Sequence, residues 1–280
     1  MRKKCINQES SFNMIQNIAY SLSEQVVTIV DTYNAKNSMC KTEAEAISQC
    51  LLQMGCEKMM SVVTLLNNGI NIQEKGIIKA IPSLFSYHPI VRSLYELMMI
   101  HHCLFVNPKT EEEANVLLDL WKIKGYCLRV KYENIHPHEE QKEKELQEIK
   151  TMKNRIKETR LYKECKQQLS HAFDTDKICY LEFTTKKGKL SLQATSFGNK
   201  ALFNRVYMDL NIMPPIENDM VYNYLSMNTH PTYLSVIQFG TQNSMTTNQI
   251  IFPLKCATLF VYRMIKSHEY LLRNSIYYKH

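Results

Sequence analysis

Glycine and proline are scarce in this chain, which has 7 glycines and 8 prolines among its 280 residues. Disordered segments are usually rich in such residues, so their scarcity argues against a mostly disordered chain. The nine cysteines form no CxxC pair and follow no regular spacing. The sequence therefore does not predict a disulfide framework, and reduced thiols in the cytoplasm fit the pattern better.

Long apolar segments are missing as well. The first residues, MRKKCINQESS, are basic but are not followed by the apolar core of a signal peptide. The most apolar run, residues 250–265, is interrupted by Pro253, Lys255 and Arg263, so it is not expected to span a bilayer. We therefore expect a soluble, cytoplasmic protein with no membrane partner. The net charge of +7 permits a polyanionic partner without requiring one.

Several motifs that carry known chemistry are absent from the sequence. There is no glycine-rich phosphate loop, no GxSxG, no HExxH and no dinucleotide fingerprint. His101 and His102 are neighbours, but four converging ligands cannot be found, so no metal site is predicted. Cys103 lies close to His101, yet a buried cysteine is usually inert. We expect no cofactor.

Apolar residues instead recur at the spacing of amphipathic helices. The pattern predicts helices over residues 11–34, from Thr42 to about 66, over 88–106, from Thr110 to about 133, over 196–210, over 217–229 and over 246–275. Thr42 with Glu45 forms a capping box, and Pro89 suits the first turn of the central helix. Residues 69–87 are interpreted as a connector. The expected fold is a mostly α, multi-helix bundle that forms a single domain over residues 1–280.

Two segments depart from this bundle pattern. Residues 137–172 form a charged arm with a thin apolar seam, which is typical of a long exposed helix or helical hairpin. Residues 176–195 contain two strand-prone runs around Lys186, Lys187, Gly188 and Lys189, so we predict a small β-hairpin insertion. The three lysines are candidate phosphate contacts, although lysines at hairpin tips commonly serve solubility.

Two rows of polar residues on apolar helices are the main functional signal. His88, Arg92 and Glu96 follow one another at i,i+4 spacing, as do Tyr222, Ser226 and His230. A buried charge without a partner costs several kcal/mol, so these residues must satisfy one another or line a cleft. If the rows face each other, Arg92, Glu96 and His230 converge. The alternative is a structural network that fixes how helices pack.

The same two rows carry a resemblance to a known family. The segment Arg-Ser-Leu-Tyr-Glu at 92–96 and the segment YNYLSMNTHP at 222–231 resemble an uncharacterised bacterial group, the domain of unknown function numbered 5677. The resemblance covers about residues 47–260. Such helical proteins are in turn similar in outline to the HEPN superfamily of prokaryotic toxin and antiviral ribonucleases, which is an analogy at the level of fold.

The HEPN resemblance implies cleavage of RNA without a metal. An arginine would hold the scissile phosphate, and a histidine would act as general acid or base for attack by the 2′-hydroxyl. The HEPN motif of arginine, four to six residues and histidine is matched by Arg263 with His268 and by Arg129 with His136. Arg92 with His230 departs from that spacing.

Two hypotheses of function follow from these observations. The first is a bacterial defence or toxin-type effector that acts on RNA, with Arg92, Glu96, His230, Arg263 and His268 as candidate catalytic residues. Candidate binding residues are His88, Tyr222, Ser226, Lys186, Lys187 and Lys189. The second hypothesis is a non-catalytic helical module that binds a partner protein or a second copy of the chain, with the polar rows as scaffold.

Overall fold

The protein is described from a computed structural model of the chain. The described residues are 2–35, 42–68, 70–74, 77–81, 84–131, 139–163, 183–184, 191–192, 218–227, 229–230, 236–237 and 247–273. The predicted helix over 196–210 and the tip of the predicted hairpin, with Lys186, Lys187 and Lys189, lie outside these residues. The single domain over 1–280 stays a prediction.

Helices make up most of the described chain, so the prediction of a mostly α fold is confirmed. Their bounds are α1 Arg2–Ala35, α2 Glu43–Asn68, α3 Leu84–Phe105, α4 Glu111–Lys131, α5 Glu139–Glu158, α6 Asn218–Met227 and α7 Thr247–Arg273. Within the described ranges, none of these helices combines the length and the apolarity that crossing a membrane requires.

The centre of the fold is a packed trio of helices, α2, α3 and α7. α1 lies against α2 and α7, α6 lies against α3, and α4 contacts both α3 and α5. Large side chains that are almost fully buried fill the centre, among them Tyr95, Met98 and Phe260. Burial of each such side chain stabilises the fold by about 2 kcal/mol. α3 therefore has neighbours on several sides, and its polar residues are held in place by packing.

Two helix starts follow the capping pattern. Thr42 Oγ1 accepts a hydrogen bond from the backbone N–H of Glu45 at 3.2 Å, and Thr110 Oγ1 accepts one from Glu113 at 3.2 Å. Each bond satisfies one of the N–H groups that a helix leaves without an internal partner. The predicted start of α3 was wrong. α3 begins at Leu84, so Pro89 lies inside the helix, where it removes one backbone hydrogen bond near the first turn.

The segment between α2 and α3 also differs from the expected connector. Strand β1 (Ile70–Glu74) and strand β2 (Ile77–Ile81) pair antiparallel, with Ile70 opposite Ile81 and Glu74 opposite Ile77. Further along the chain, β3 (Phe183–Thr184) pairs antiparallel with β4 (Ser191–Leu192). The rest of residues 176–195 lies outside the described part, so the hairpin insertion as a whole stays a prediction.

The charged segment forms α5, which packs along α4. Its apolar seam is buried there through Ile149, Met152 and Ile156. Arg155 donates to both carboxylate oxygens of Asp119 on α4, at 2.9 and 2.5 Å. Burial raises the pKa of Asp119 more than Arg155 lowers it. Over the described residues this helix is thus a component of the bundle. The rest of the predicted arm over 137–172 lies outside the described residues.

Candidate functional site

The two predicted rows of polar residues meet where α6 lies on α3. Arg92 Nη2 donates to the hydroxyl of Tyr222 at 2.6 Å, and Arg92 Nη1 is 3.2 Å from Nε2 of His230. Arg92 Nε is 3.4 Å from Glu96 Oε1, and the Tyr222 hydroxyl donates to that same oxygen at 3.4 Å. We call Arg92, Glu96, Tyr222 and His230 the Arg92 cluster. It joins residues that are up to 138 positions apart in sequence.

The geometry of the Arg92 cluster determines which nitrogen of His230 can react. A guanidinium is always protonated and has only donors. Because Arg92 Nη1 donates to Nε2 of His230, that nitrogen presents its lone pair and the ring proton resides on Nδ1. Nε2 of His230 is therefore the acceptor in this contact.

The Arg92 cluster is open to solvent on one side. The side chains of Arg92 and Glu96 are 18% and 34% exposed, and His230 is exposed. The Arg92 guanidinium also lies over the Tyr222 ring, 4.8 Å from its centroid, which adds a cation–π contact. The guanidinium is thus partly exposed, and three neighbours set its orientation.

The two remaining members of the polar rows, His88 and Ser226, are not part of the Arg92 cluster. His88 is fully buried between the rings of Tyr87 and Tyr224, at centroid distances of 5.2 and 5.1 Å. Burial lowers the pKa of His88 to about 4, so the ring is neutral at pH 7. Ser226 is half-buried, and its Oγ has no hydrogen-bond partner among the described residues.

The residues of the two HEPN-type matches are placed differently. Arg263 and His268 both lie on α7, but five residues correspond to about 500° of helical rotation, which separates them by about 140° around the axis. His268 is 1% exposed, whereas Arg263 is only half-buried. Arg129 pairs with Glu145 of α5 at 2.8 Å. His136 lies outside the described residues.

His268 belongs to a second cluster, at the centre of the helix trio. Ser48 Oγ on α2 is 2.8 Å from His101 Nε2 on α3 and 2.9 Å from His268 Nδ1 on α7. All three residues are at most 1% exposed. We call Ser48, His101 and His268 the buried Ser–His cluster. It connects the three central helices through one hydroxyl.

Burial keeps both histidines of this cluster neutral. It lowers the pKa of His101 to about 3, with His268 and His102 contributing smaller effects in the same direction, and the pKa of His268 to about 4. With both rings neutral, one histidine donates to Ser48 and the other accepts its only hydroxyl hydrogen. His101 Nδ1 and His268 Nε2 are buried without a described hydrogen-bond partner.

Sequence reasoning did not identify the buried Ser–His cluster as a unit. Ser48 carried no signal, because a serine inside an amphipathic helix is unremarkable, and its partners lie 53 and 220 residues away. The pairing of Arg92 with Tyr222 and His230 was accessible because each row repeats at i,i+4 on its own helix. In the described ranges, no three or more His, Cys, Asp or Glu residues are arranged to hold a metal ion.

Comparison with known proteins places the chain in a family. A family model described as "Family of unknown function (DUF5677)" matches residues 45–246, which include both polar rows and helices α2 (from residue 45) and α3 of the central trio but end before α7. Neither the curated proteins nor the solved structures gave a match. The matched region covers more than half of the 280 residues. The chain therefore belongs to the family of unknown function DUF5677.

Proposed function

We propose that the Arg92 cluster is the site of a metal-independent endoribonuclease, in a protein that serves as a bacterial defence or toxin-type effector. The observation that carries the proposal is the 3.2 Å contact between Arg92 Nη1 and His230 Nε2 on a solvent-exposed surface. It places an arginine that can bind a phosphate next to a histidine nitrogen that can accept a proton.

The residue types of the cluster match the needs of RNA cleavage. Hydrolysis of RNA can proceed by attack of the 2′-oxygen on the neighbouring phosphorus, which requires a base for the 2′-hydroxyl and a cation for the developing negative charge. His230 Nε2 is the candidate base, and Arg92 is the candidate cation. Glu96 and Tyr222 hold the guanidinium plane through the contacts at 3.4 and 2.6 Å.

The proposed step begins when a phosphate binds Arg92 and takes the place of His230 at Nη1. His230 Nε2 then accepts the proton of the 2′-hydroxyl, while the 2′-oxygen forms a bond to phosphorus and the 5′-oxygen leaves. Water supplies a proton to the 5′-oxygen, and the imidazolium returns its proton to the resulting hydroxide. The products are a 2′,3′-cyclic phosphate and a 5′-hydroxyl, so protons and electrons balance.

Incubation of purified protein with end-labelled single-stranded RNA in excess EDTA tests the proposal. We expect cleavage by the wild type that leaves cyclic phosphate ends, and loss of that cleavage in His230→Ala. A 2′-deoxy substrate of the same sequence is the matched control, because it lacks the nucleophile. Absence of EDTA-resistant cleavage by the wild type contradicts the proposal.

A non-catalytic interaction module is the second candidate. α1 carries large exposed apolar side chains, Met14, Ile18 and Val27, at 60%, 45% and 55% exposure. Met14 and Ile18 share one face of α1 at i,i+4 spacing, and adjoining exposed apolar side chains are common where a partner protein or a second copy binds. In this case the Arg92 cluster only fastens α6 to α3. Arg92→Ala would then weaken the fold or the assembly, and wild-type protein would not cleave RNA.

A further inference from the structure

A groove of about 500 Å³ is lined by residues of α2, α3 and α4, which do not include the members of the Arg92 cluster. Pockets that hold small ligands have volumes of roughly 300–1,000 Å³ and mostly apolar linings. The apolar side chains that line this groove are Ile47, Ile100, Trp121, Tyr126 and Leu128. The groove therefore has the size and the lining of a site for a small ligand.

The cations at the groove are already engaged. Lys122 Nζ pairs with Glu43 Oε1 at 2.6 Å, and Arg129 pairs with Glu145 of α5 at 2.8 Å. Lys124 has an interaction of its own. Because these cations have partners, the groove offers no particular attraction to a phosphate or a carboxylate, and it favours an uncharged ligand.

Gly125 shapes the groove on the side of α4. Trp121, Gly125 and Leu128 follow one another at i, i+4 and i+7, so they share one face of that helix. A Cβ added at Gly125 would meet no atom within 4 Å, although glycine is unfavourable inside a helix. Trp121 and Leu128 are thus separated along the helix surface by a gap that a flat ring can enter.

One polar pair at the groove has spare hydrogen-bonding capacity. Glu43 is the first residue of α2, and Oε1 of its carboxylate accepts from Lys122. Oε2 of Glu43 has no partner among the described residues, and the side chain is 49% exposed. A carboxylate accepts several hydrogen bonds, and an ammonium has three donors. The pair can therefore bind a ligand edge that carries N–H donors beside a carbonyl oxygen.

We propose that the groove binds the guanine base of a free nucleoside, with the ring against Trp121 in the gap at Gly125. Guanine is flat and uncharged, and among the four RNA bases it alone carries two N–H groups side by side next to a carbonyl. Its N1–H and exocyclic amine donate to Glu43, and Lys122 donates to its O6. Any base has a face that can stack on an aromatic ring, so the polar pair supplies the choice of base.

The fluorescence of Trp121 tests the proposal directly, because it is the only tryptophan in the chain. Guanosine is titrated into the full chain, with adenosine as the matched ligand. We expect guanosine to quench the emission with a dissociation constant below about 1 mM, and adenosine to bind at least about tenfold more weakly. Equal binding of the two nucleosides, or no saturable quenching by guanosine, overturns the proposal.

Guanosine 5′-monophosphate tests whether the ligand is uncharged. It carries the same base with an added phosphate, and we expect its affinity to lie within about threefold of that of guanosine, because the cations are engaged. A 2′-O-methylated single strand that contains one guanine tests the base within RNA. Binding of either probe that is about tenfold tighter than that of guanosine overturns the assignment to a free nucleoside.

Inosine and Glu43→Gln test the assigned hydrogen bonds. Inosine lacks the exocyclic amine of guanosine, so it should bind the wild type about tenfold more weakly. In Glu43→Gln the difference between the two ligands should shrink to about twofold or less, since the carboxylate is gone. Glu57→Gln, an exposed acid of α2 outside the groove, should keep the wild-type difference. An unchanged difference in Glu43→Gln overturns the assignment to guanine.

Gly125→Leu tests the position of the ring. We expect guanosine to bind at least about tenfold more weakly, because the leucine side chain fills the gap beside Trp121. Wild-type affinity in a folded Gly125→Leu overturns the proposal. If this variant is unfolded by far-ultraviolet circular dichroism, the inosine comparison in Glu43→Gln decides. None of these readouts involves cleavage of RNA, so failure of the nuclease proposal and failure of guanine binding are distinguishable.

Discussion

The Arg92 cluster and the buried Ser–His cluster both depend on α3 but are opposite in character. Arg92 and His101 are nine residues apart, which turns their side chains about 180° around the helix. The first cluster is partly exposed and contains charged groups that hold one another in place. The second is sealed, with neutral histidines around one hydroxyl. We conclude that solvent access separates the candidate site from the scaffold.

Among changes to the Arg92 cluster, Arg92→Ala is expected to have the largest effect on RNA cleavage. We expect RNA cleavage to fall by about 10³-fold, because the cation that offsets the developing charge is removed. The free energy of unfolding should change by less than about 2 kcal/mol, since the guanidinium is partly solvated. Cleavage rates and urea unfolding of the same sample measure both. Arg273→Ala, an exposed arginine at the end of α7, is the control and should retain wild-type activity.

Acid should lower the stability of the fold by protonating the buried histidines in the unfolded chain. The pKa values of His88, His101 and His268 are lowered to about 4, 3 and 4, below the unfolded value of about 6.5. The unfolded chain therefore binds more protons below pH 6.5, and stability is lost as the pH falls from there towards 4. The raised pKa of Asp119 acts in the opposite direction.

Urea titrations at pH 7 and pH 5 measure this loss. We expect the free energy of unfolding to be about 6 kcal/mol lower at pH 5 than at pH 7, since each of the three buried histidines contributes about 1.4 kcal/mol per pH unit over roughly the 1.5 units below pH 6.5. His268→Asn should show a shallower dependence on pH than the wild type. Equal slopes in the two proteins would show that His268 titrates normally and that the Ser–His cluster is accessible.

Ser48→Ala tests the hydroxyl that connects the central helices. Its loss leaves a ring nitrogen of both His101 and His268 without a hydrogen-bond partner, which costs about 2 kcal/mol of unfolding free energy. Cleavage of RNA should not change. Ser61→Ala on the exposed face of α2 is the matched control, with a change below about 0.5 kcal/mol. Loss of RNA cleavage in folded Ser48→Ala would indicate that cleavage depends on the buried Ser–His cluster, which contradicts the proposed site.

Tyr222→Phe gives the smallest expected effect. It removes the hydroxyl that accepts from Arg92 at 2.6 Å and donates to Glu96, but it keeps the ring beneath the guanidinium. We expect cleavage to fall by about tenfold, which corresponds to one hydrogen bond of about 1.4 kcal/mol. Tyr262→Phe on the exposed side of α7 should leave cleavage unchanged. Unaltered activity in Tyr222→Phe would show that Arg92 needs no fixed orientation.

Local features of the fold were accessible from the sequence, and distant contacts were accessible only in part. The caps at Thr42 and Thr110 and the helical periodicity are local, so α2, α4, α6 and α7 were located to within a few residues. The predicted start of α1 was wrong, because α1 begins at Arg2 and not at residue 11. The start of α3 was missed because Pro89 is tolerated inside the helix at the cost of one hydrogen bond. The pairing of β1 with β2 was missed because its alternation of apolar residues is short.

In the candidate site, too, the local pattern was predictable from the sequence and the distant contacts were not. The two polar rows were visible because charge on an apolar helix is costly and demands a partner. Their meeting depends on how α6 packs on α3, which periodicity does not encode. The buried Ser–His cluster joins three helices through Ser48, a residue that carried no signal in its own segment.

A paired measurement on His230→Ala and His268→Ala tests most directly the distinction between a functional Arg92 cluster and a structural Ser–His cluster. Each variant loses one imidazole, and each is assayed for RNA cleavage in EDTA and for its free energy of unfolding. The distinction predicts that His230→Ala loses cleavage and keeps its stability, whereas His268→Ala loses stability and keeps cleavage under folding conditions. Loss of cleavage in His268→Ala that is folded, with retained cleavage in His230→Ala, would contradict it.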